Sequence, residues 1–138
     1  MKKTVNTIWQ GDMKFDSEVN GHHIIMDALP EVGGNDEGPR PKTLMLTAVA
    51  GCTGMDVVSI LNKMRVEVER FSIEVTAEET NEHPKHFTNM HITYRFGGKD
   101  LPMDKLQKAV ELSQDRYCGV SYMYRKAMEV THEIVVDN

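Results

Sequence analysis

Apolar and polar residues alternate in three short stretches along the first part of the chain, a pattern that indicates β-strands. Two pairs of turn residues, Gly11-Asp12 and Asn20-Gly21, separate the stretches. An Asn-Gly pair tolerates the positive φ angles of tight hairpin turns, so the pattern predicts a three-stranded meander rather than an arm without regular structure. The apolar positions of these strands are Val5, Ile8, Trp9, Met13, Phe15, Val19, Ile24, Ile25 and Met26.

A loop rich in glycine and proline follows, from Pro30 to Pro41, and a long apolar segment then runs from Lys42 to about Arg65. This segment is too long for a strand and predicts a helix, with a kink possible near Gly51 and Gly54. Asp56 is the only charge in its central part. A helix that is apolar on nearly every side needs cover on nearly every side, which favours burial between the sheets of two subunits.

The second half of the chain alternates again and then changes to helical spacing. Residues Phe71–Glu78 and Phe87–Phe96 predict two antiparallel strands. A helix is predicted from Pro102 to about Tyr117, a short helix over Gly119–Met128 and a last strand over Val130–Val136. The order strands, helix, strands, helices, strand predicts an α+β fold with mainly antiparallel sheets.

Length and charge narrow the possible functions. A chain of 138 residues fits a single domain, so one domain is expected over residues 1–138. Its 16 basic and 21 acidic residues leave a net charge of -5, which disfavours a nucleic-acid partner. No segment is expected to cross a membrane, and no apolar run of signal-peptide length follows Lys2 and Lys3. A cytoplasmic location is therefore expected.

Two cysteines, Cys52 and Cys118, are the strongest candidates for chemistry. Cytoplasmic cysteines rarely form structural disulfides, which leaves inert buried thiols, metal ligands or redox chemistry. They lie far apart in sequence, unlike a Cys-x-x-Cys motif, so only the fold could bring them together. The six histidines show no metal-ligand spacing with either cysteine, and we expect neither a metal nor a cofactor.

The neighbours of each cysteine bear on its reactivity. Cys118 follows Arg116 where a helix is predicted to begin, a setting that favours the thiolate. Asp56 lies four residues after Cys52 on the same helix face and would raise the pKa of that thiol. Either Asp56 points away, or a cation pairs with it. The candidate cations are Arg40, Arg116 and Arg125.

Two segments resemble the signatures of the OsmC/Ohr family of osmotically inducible and organic hydroperoxide resistance proteins. The run from Lys42 to Cys52, KTLMLTAVAGC, follows Gly33-Gly34 and resembles the signature around the family's first cysteine. The run Asp115-Arg116-Tyr117-Cys118 after a helix resembles the signature at its second. The stretch from Cys52 to Leu61 is most similar to the YhfA-like branch, and the likeness extends over nearly the whole chain.

The resemblance implies a fold and a reaction. It implies an intertwined homodimer in which antiparallel sheets wrap long central helices and the active sites lie at the subunit interface. It implies that Cys52 attacks organic hydroperoxides and becomes a sulfenic acid, which Cys118 resolves as a disulfide. A dithiol reductant, such as a lipoyl group, then restores both thiols.

The chain departs from the family pattern at the residues that activate the first cysteine. Characterised members place a glutamate ten residues before it, and this glutamate orients an arginine from the N-terminal segment. Lys42 stands at that position here, and no arginine precedes Arg40. Arg40, Lys42, Asp56 and Arg116 are therefore the candidates for activating the thiolate or contacting substrate. Two alternatives stay open: a non-catalytic OsmC-like protein that binds a small apolar or thiol-reactive ligand, and a structural dimer with inert thiols.

Overall fold

The computed structural model describes residues 1–137. They form two compact units, Met1–Met45 and the residues from Leu46 onward. The described residues contain six strands in two small sheets and three α-helices, which confirms the predicted α+β class. That residues 1–138 act as one domain stays a prediction.

The first unit carries the predicted meander. Strands β1 (Asn6–Trp9), β2 (Phe15–Val19) and β3 (His22–Met26) form an antiparallel sheet in the order β1-β2-β3. Both residues of the second turn have positive φ, with Asn20 at 52° and Gly21 at 80°. This is the conformation that an Asn-Gly pair adopts at low cost, so the turn residues set the register of the β2–β3 hairpin.

The predicted loop after β3 is organised around one buried carboxylate. Asp27, which is 2% exposed, accepts hydrogen bonds from the backbone N–H groups of Ala28 at 2.7 Å, Asn35 at 3.2 Å and Glu37 at 3.1 Å. The donors Ala28 and Glu37, in that order, are the main reason why the pKa of Asp27 lies below its usual range. The loop also contains a 3-10 turn, Pro30–Val32.

The long apolar segment forms one helix, α1 (Leu44–Lys63), which continues without interruption through Gly51 and Gly54. Glycine at position 54 has a packing role. A Cβ atom added there would lie 3.0 Å from Cδ1 of Ile73, so the missing side chain lets the helix approach the sheet closely.

The expectation that no segment is long and apolar enough to cross a membrane is wrong on length and composition alone. Helix α1 has 20 residues and a mean hydropathy of 1.8. A core helix of a soluble protein meets the same criterion, and α1 packs into the core through Val49, Val57 and Leu61. Its length therefore does not by itself assign α1 to a membrane.

The second unit contains the other sheet, made of β4 (Arg70–Glu79), β5 (Phe87–Gly97) and β6 (Glu129–Asp137) in the order β4-β5-β6. Strands β4 and β5 are antiparallel, as predicted, whereas β6 runs parallel to β5. A parallel neighbour needs a crossover connection, which the helices between β5 and β6 supply. Three of the four strand pairings are antiparallel, in agreement with the predicted mainly antiparallel sheets.

The crossover consists of α2 (Met103–Leu112), a π-helical turn (Ser113–Tyr117) and α3 (Gly119–Arg125). The predicted helix to Tyr117 is thus continuous but widens in its last turn, where the Cys118 N–H donates to the Ser113 carbonyl at 2.7 Å. The short helix ends at Arg125 rather than Met128. These elements close a core whose buried apolar members are Val49, Val57, Leu61, Val66, Met90, Ile92, Tyr94, Phe96, Leu106, Ala109, Val110 and Cys118.

Candidate active site

The fold brings the two cysteines together. The sulfur atoms of Cys52 and Cys118 and a carboxylate oxygen of Asp56 all lie within 4.8 Å of one another. Cys52 lies on α1 and is half-buried, whereas Cys118 stands between the π turn and α3 and is only 3% exposed. The pairing that sequence spacing left open is therefore made by packing α1 against the crossover. Two free thiols this close can exchange between dithiol and disulfide states.

Backbone N–H groups at the start of α3 point toward both sulfurs. The Ser121 N–H donates to Sγ of Cys118 at 3.4 Å, and the Val120 N–H donates to Cys52. Burial raises the pKa of the Cys52 thiol, and the neighbouring Cys118 and Asp56 add to the increase. The Val120 N–H acts in the opposite direction. Since the net change is upward, Cys52 needs a proton acceptor when it reacts as a thiolate.

Asp56 fits neither of the two arrangements expected from the sequence. Its carboxylate faces the thiols and accepts a hydrogen bond from the Ser113 hydroxyl, which donates to Oδ2 at 3.1 Å. Within residues 46–137, no lysine or arginine forms an ion pair with it. Arg116 is exposed, with its guanidinium carbon 5.6 Å from the centre of the Tyr117 ring. Arg125 donates to Gln114 instead.

The other two candidate cations belong to the first unit. Arg40 forms an ion pair with Asp36, four residues earlier. Lys42 lies just before α1, where its carbonyl accepts the N–H of Met45 at 3.1 Å. That either cation acts on Cys52 stays a prediction.

A path of polar side chains leads away from Asp56 through the interior, and sequence reasoning missed it. Ser113 Oγ lies 2.7 Å from Thr53 Oγ1, which lies 2.6 Å from the Tyr94 hydroxyl. Gln114 Nε2 donates to that hydroxyl at 2.7 Å. Arg125 completes the path by donating from Nη1 to Gln114 Oε1 at 3.2 Å and from Nη2 to the Gln114 carbonyl at 2.7 Å.

This polar path (Arg125, Gln114, Tyr94, Thr53, Ser113 and Asp56) is buried in its middle, whereas Arg125 at one end is exposed and Asp56 at the other is half-buried. Thr53, Tyr94 and Ser113 are 0% exposed, and Gln114 is 4% exposed. One signal was present in the sequence: Thr53 directly follows Cys52 inside an apolar helix. A buried hydroxyl normally has a hydrogen-bond partner, so Thr53 indicated a polar neighbour without identifying it.

The thiol cluster also has donors that suit a metal ion. Two thiolate sulfurs and one carboxylate oxygen are ligands that Zn²⁺ uses, so Cys52, Asp56 and Cys118 could supply three of four ligands. The sequence expectation of no metal rested on linear spacing, which does not reveal a cluster assembled from α1 and the crossover.

Comparisons with known proteins agree with this architecture. Residues 33–133 match the family model described as OsmC-like protein. The chain is 36% identical over 129 residues to protein YhfA of Escherichia coli strain K12, and the match covers 93% of each protein.

Solved structures share the fold. A hypothetical protein from Aquifex aeolicus VF5 has a TM-score of 0.83 and 27% identity, over 100% of this chain and 99% of that one. The organic hydroperoxide resistance protein OhrB of Bacillus subtilis has a TM-score of 0.64 and 19% identity, over 97% and 98% of the two chains. The family model covers most of the sequence, and YhfA is similar along nearly its whole length; the chain belongs to the OsmC-like protein family.

Proposed function

We propose that this protein reduces organic hydroperoxides with two thiols, Cys52 as the attacking residue and Cys118 as the resolving one, in a chain that acts as a single OsmC-like domain. The observation that carries the proposal is the proximity of the two sulfurs, which lie within 4.8 Å of each other. The fold shared with OhrB of Bacillus subtilis, an organic hydroperoxide resistance protein, supports the choice of substrate.

The reaction proceeds in two steps at sulfur. The Cys52 thiolate attacks one oxygen of the O–O bond, which becomes the sulfenic oxygen, and the second oxygen leaves as an alcohol once protonated. The Cys118 thiol then displaces that hydroxyl from sulfur and forms a disulfide, with release of water. The peroxide takes two electrons, and the two thiols supply them.

The exposure of the two thiols supports these roles. Cys52 is half-buried and can meet a peroxide, whereas Cys118 is 3% exposed and is shielded from one. A resolving thiol needs access only to the sulfenic acid beside it. Cys118 meets this requirement because its sulfur lies within 4.8 Å of the Cys52 sulfur.

The disulfide has to be reduced for turnover, and a small dithiol fits this task better than a bulky protein because one of the two sulfurs is buried. A lipoyl-type dithiol is the proposed reductant. The cycle also requires a compartment that keeps thiols reduced, for which the cytoplasm is the proposed location.

A homodimer is proposed for the working protein. The exposed side of α1 carries Met55 at 77% and Val58 at 45% exposure. The same side borders a groove of about 740 Å³ between α1 and β4, whose lining includes Gly51, Gly54 and Ile73. Large apolar side chains beside an open groove favour a second copy of the chain as their cover.

One observation favours the alternative of a non-catalytic binding protein. Burial raises the pKa of Cys52, and the neighbouring Cys118 and Asp56 raise it further. The thiolate that peroxide chemistry needs is therefore disfavoured at rest. A protein that only binds a small apolar or thiol-reactive molecule has no such requirement.

Peroxide consumption separates the two functions. Reduced protein is mixed with cumene hydroperoxide and dihydrolipoate, with a chelator present so that no metal occupies the thiol cluster. The wild type should turn over, Cys52→Ser should lose activity by at least about 1000-fold, and Cys118→Ser should react once without cycling. A wild type whose thiols survive excess peroxide would leave the binding function as the better account.

A further inference from the structure

The polar path between Arg125 and Asp56 has a fixed hydrogen-bond direction because its two ends allow only one. A guanidinium only donates, so Gln114 Oε1 is the acceptor from Arg125 and Gln114 Nε2 is the donor to the Tyr94 hydroxyl. At the other end, a carboxylate only accepts, so the Ser113 proton points to Asp56.

The directions in which the two middle hydroxyl groups, Thr53 and Tyr94, donate are then determined as well. The Ser113 proton is already committed to Asp56, so the 2.7 Å contact with Thr53 is donated by Thr53. The Thr53 proton is thereby committed as well, so the 2.6 Å contact with Tyr94 is donated by Tyr94. Every bond points from the cation toward the carboxylate. Hydrogen bonds aligned in this way polarise one another, and burial strengthens the effect.

We propose that Asp56 is the proton carrier for both thiol steps and that Arg125 is a positioning residue that acts on Asp56 through the polar path. This inference rests on the proposed peroxide reduction and names a catalytic residue for it. The path holds one carboxylate oxygen of Asp56 against Ser113 and keeps the group within 4.8 Å of both sulfurs.

The proton balance of the two steps explains why one carboxylate near both sulfurs is sufficient. In the first step Asp56 takes the proton of the Cys52 thiol and gives it to the alkoxide that leaves the peroxide, which departs as an alcohol. In the second step Asp56 takes the proton of the Cys118 thiol and gives it to the hydroxide that leaves the Cys52 sulfenic acid, which departs as water. Asp56 ends each step as a carboxylate, ready for the next.

Within residues 46–137, Asp56 is the group best placed to carry these protons. The ionisable groups that face the thiols from the elements packed there are Asp56, Tyr94 and Tyr124. Burial raises the pKa of both tyrosines, so their hydroxyl groups keep their protons at neutral pH and are poor acceptors. Asp56 is the one carboxylate in this set.

The deciding variant is Asp56→Asn, which keeps an oxygen that accepts from Ser113 but cannot carry a proton. Two rates are measured at Cys52 in single-turnover experiments across pH, one with cumene hydroperoxide and one with iodoacetamide. Alkylation by iodoacetamide needs the thiolate but no proton for its leaving group. Removal of the Asp56 charge should favour the thiolate and raise the alkylation rate near pH 7, whereas peroxide reduction should fall about 100-fold.

This opposite movement is the signature of a proton carrier, since a merely structural role would change both rates in the same direction. Arg125→Met should raise the alkylation rate and lower the peroxide rate by smaller factors than Asp56→Asn. Arg125→Lys should restore part of the lost peroxide rate. Glu111→Gln removes one exposed carboxylate of α2 and is the charge-matched control, with neither rate altered.

The outcomes separate the two proposals. A wild type that turns over, together with an Asp56→Asn variant that keeps its peroxide rate, would overturn the proton-carrier role and leave the two-thiol reaction standing. An Asp56→Asn variant that loses both rates together would assign Asp56 a structural role and also overturn the inference. A wild type that reduces no hydroperoxide would overturn both proposals.

Discussion

The two units of this protein differ in how much apolar surface they bury. In residues 46–137, apolar residues such as Ile92 and Leu106 are 0% exposed and form a closed core. In residues 1–45, the buried side chains are polar, Ser17 and Asp27, whereas apolar ones such as Trp9 remain exposed, here at 63%.

The difference indicates where each unit obtains its stability. The second unit builds a core and the whole thiol cluster from its own elements. The first is held by hairpin turns and by hydrogen bonds to Asp27, and its exposed apolar residues favour cover from another surface. Chemistry should therefore depend on contacts inside the second unit, and assembly on the exposed apolar residues of the first unit together with the exposed side of α1.

Truncation of one isoleucine in each unit should give the largest contrast. Ile92→Ala, at a position with 0% exposure on the central strand β5, should lower the free energy of unfolding by about 2–5 kcal/mol. Ile8→Ala, at 61% exposure on β1, should cost less than about 1 kcal/mol at high dilution. Urea denaturation of both variants measures the difference, and equal losses would contradict the comparison.

Loss of one hydroxyl from the polar path should have the next largest effect. Thr53→Val keeps the volume of the side chain but deprives Tyr94 and Ser113 of a hydrogen-bond partner in the buried interior. We expect a loss of about 1–3 kcal/mol in urea denaturation. Thr53→Ser keeps the hydroxyl and is the matched control. If the valine variant were as stable as the serine variant, the hydrogen bonds of the path would not contribute to folding.

Trp9 is the only tryptophan in the chain and reports on the first unit. If a second subunit covers this sheet, the emission of Trp9 should shift to the red as the protein is diluted, and Ile8→Lys should show the red emission at every concentration. Light scattering should give twice the 15.7 kDa mass of one chain for the wild type. A single-chain mass with unchanged emission would remove the assembly role of this sheet.

Acid should loosen the first unit by a smaller amount. The pKa of Asp27 is lowered mainly by the N–H groups of Ala28 and Glu37. Its contribution to stability is therefore present above the unfolded-state pKa of about 3.9 and is lost as the pH falls through the folded-state pKa. The Trp9 indole donates to the Asp12 carbonyl at 2.8 Å and should sense the change. Its fluorescence should change at acidic pH in the wild type. If Asp27→Asn showed a transition at the same pH, the change would belong to another group.

Local sequence patterns predicted most of the fold. Alternating runs predicted the first five strands, helical spacing predicted α2, and the length of the apolar run predicted α1. The direction of β6 was not predictable from Val130–Val136, since an alternating strand fits either a parallel or an antiparallel neighbour. The crossover through α2 and α3 decides it.

Sequence reasoning named Cys52, Cys118 and Asp56, which the structure brings together, but it missed the polar path behind them. Cys52 and Cys118 stood out because structural disulfides are rare in the expected cytoplasmic location, and because two motifs resembled the family's signatures. The polar path was invisible because its members lie far apart in sequence: Thr53 and Tyr94 are separated by 41 residues, Thr53 and Gln114 by 61. Tyr94 fits the alternation of a strand, and nothing local marks its hydroxyl as part of a network.

The central claim is that Cys52 and Cys118 of one chain form a disulfide when the protein meets a hydroperoxide. Its most direct test treats the reduced protein with one equivalent of cumene hydroperoxide. The intact mass and the peptide map are then measured without adding reductant. We expect a loss of about 2 Da per chain and a cross-linked peptide pair containing both cysteines. Unmodified thiols, or a Cys52 oxidised to sulfinic acid beside a free Cys118, would contradict the account.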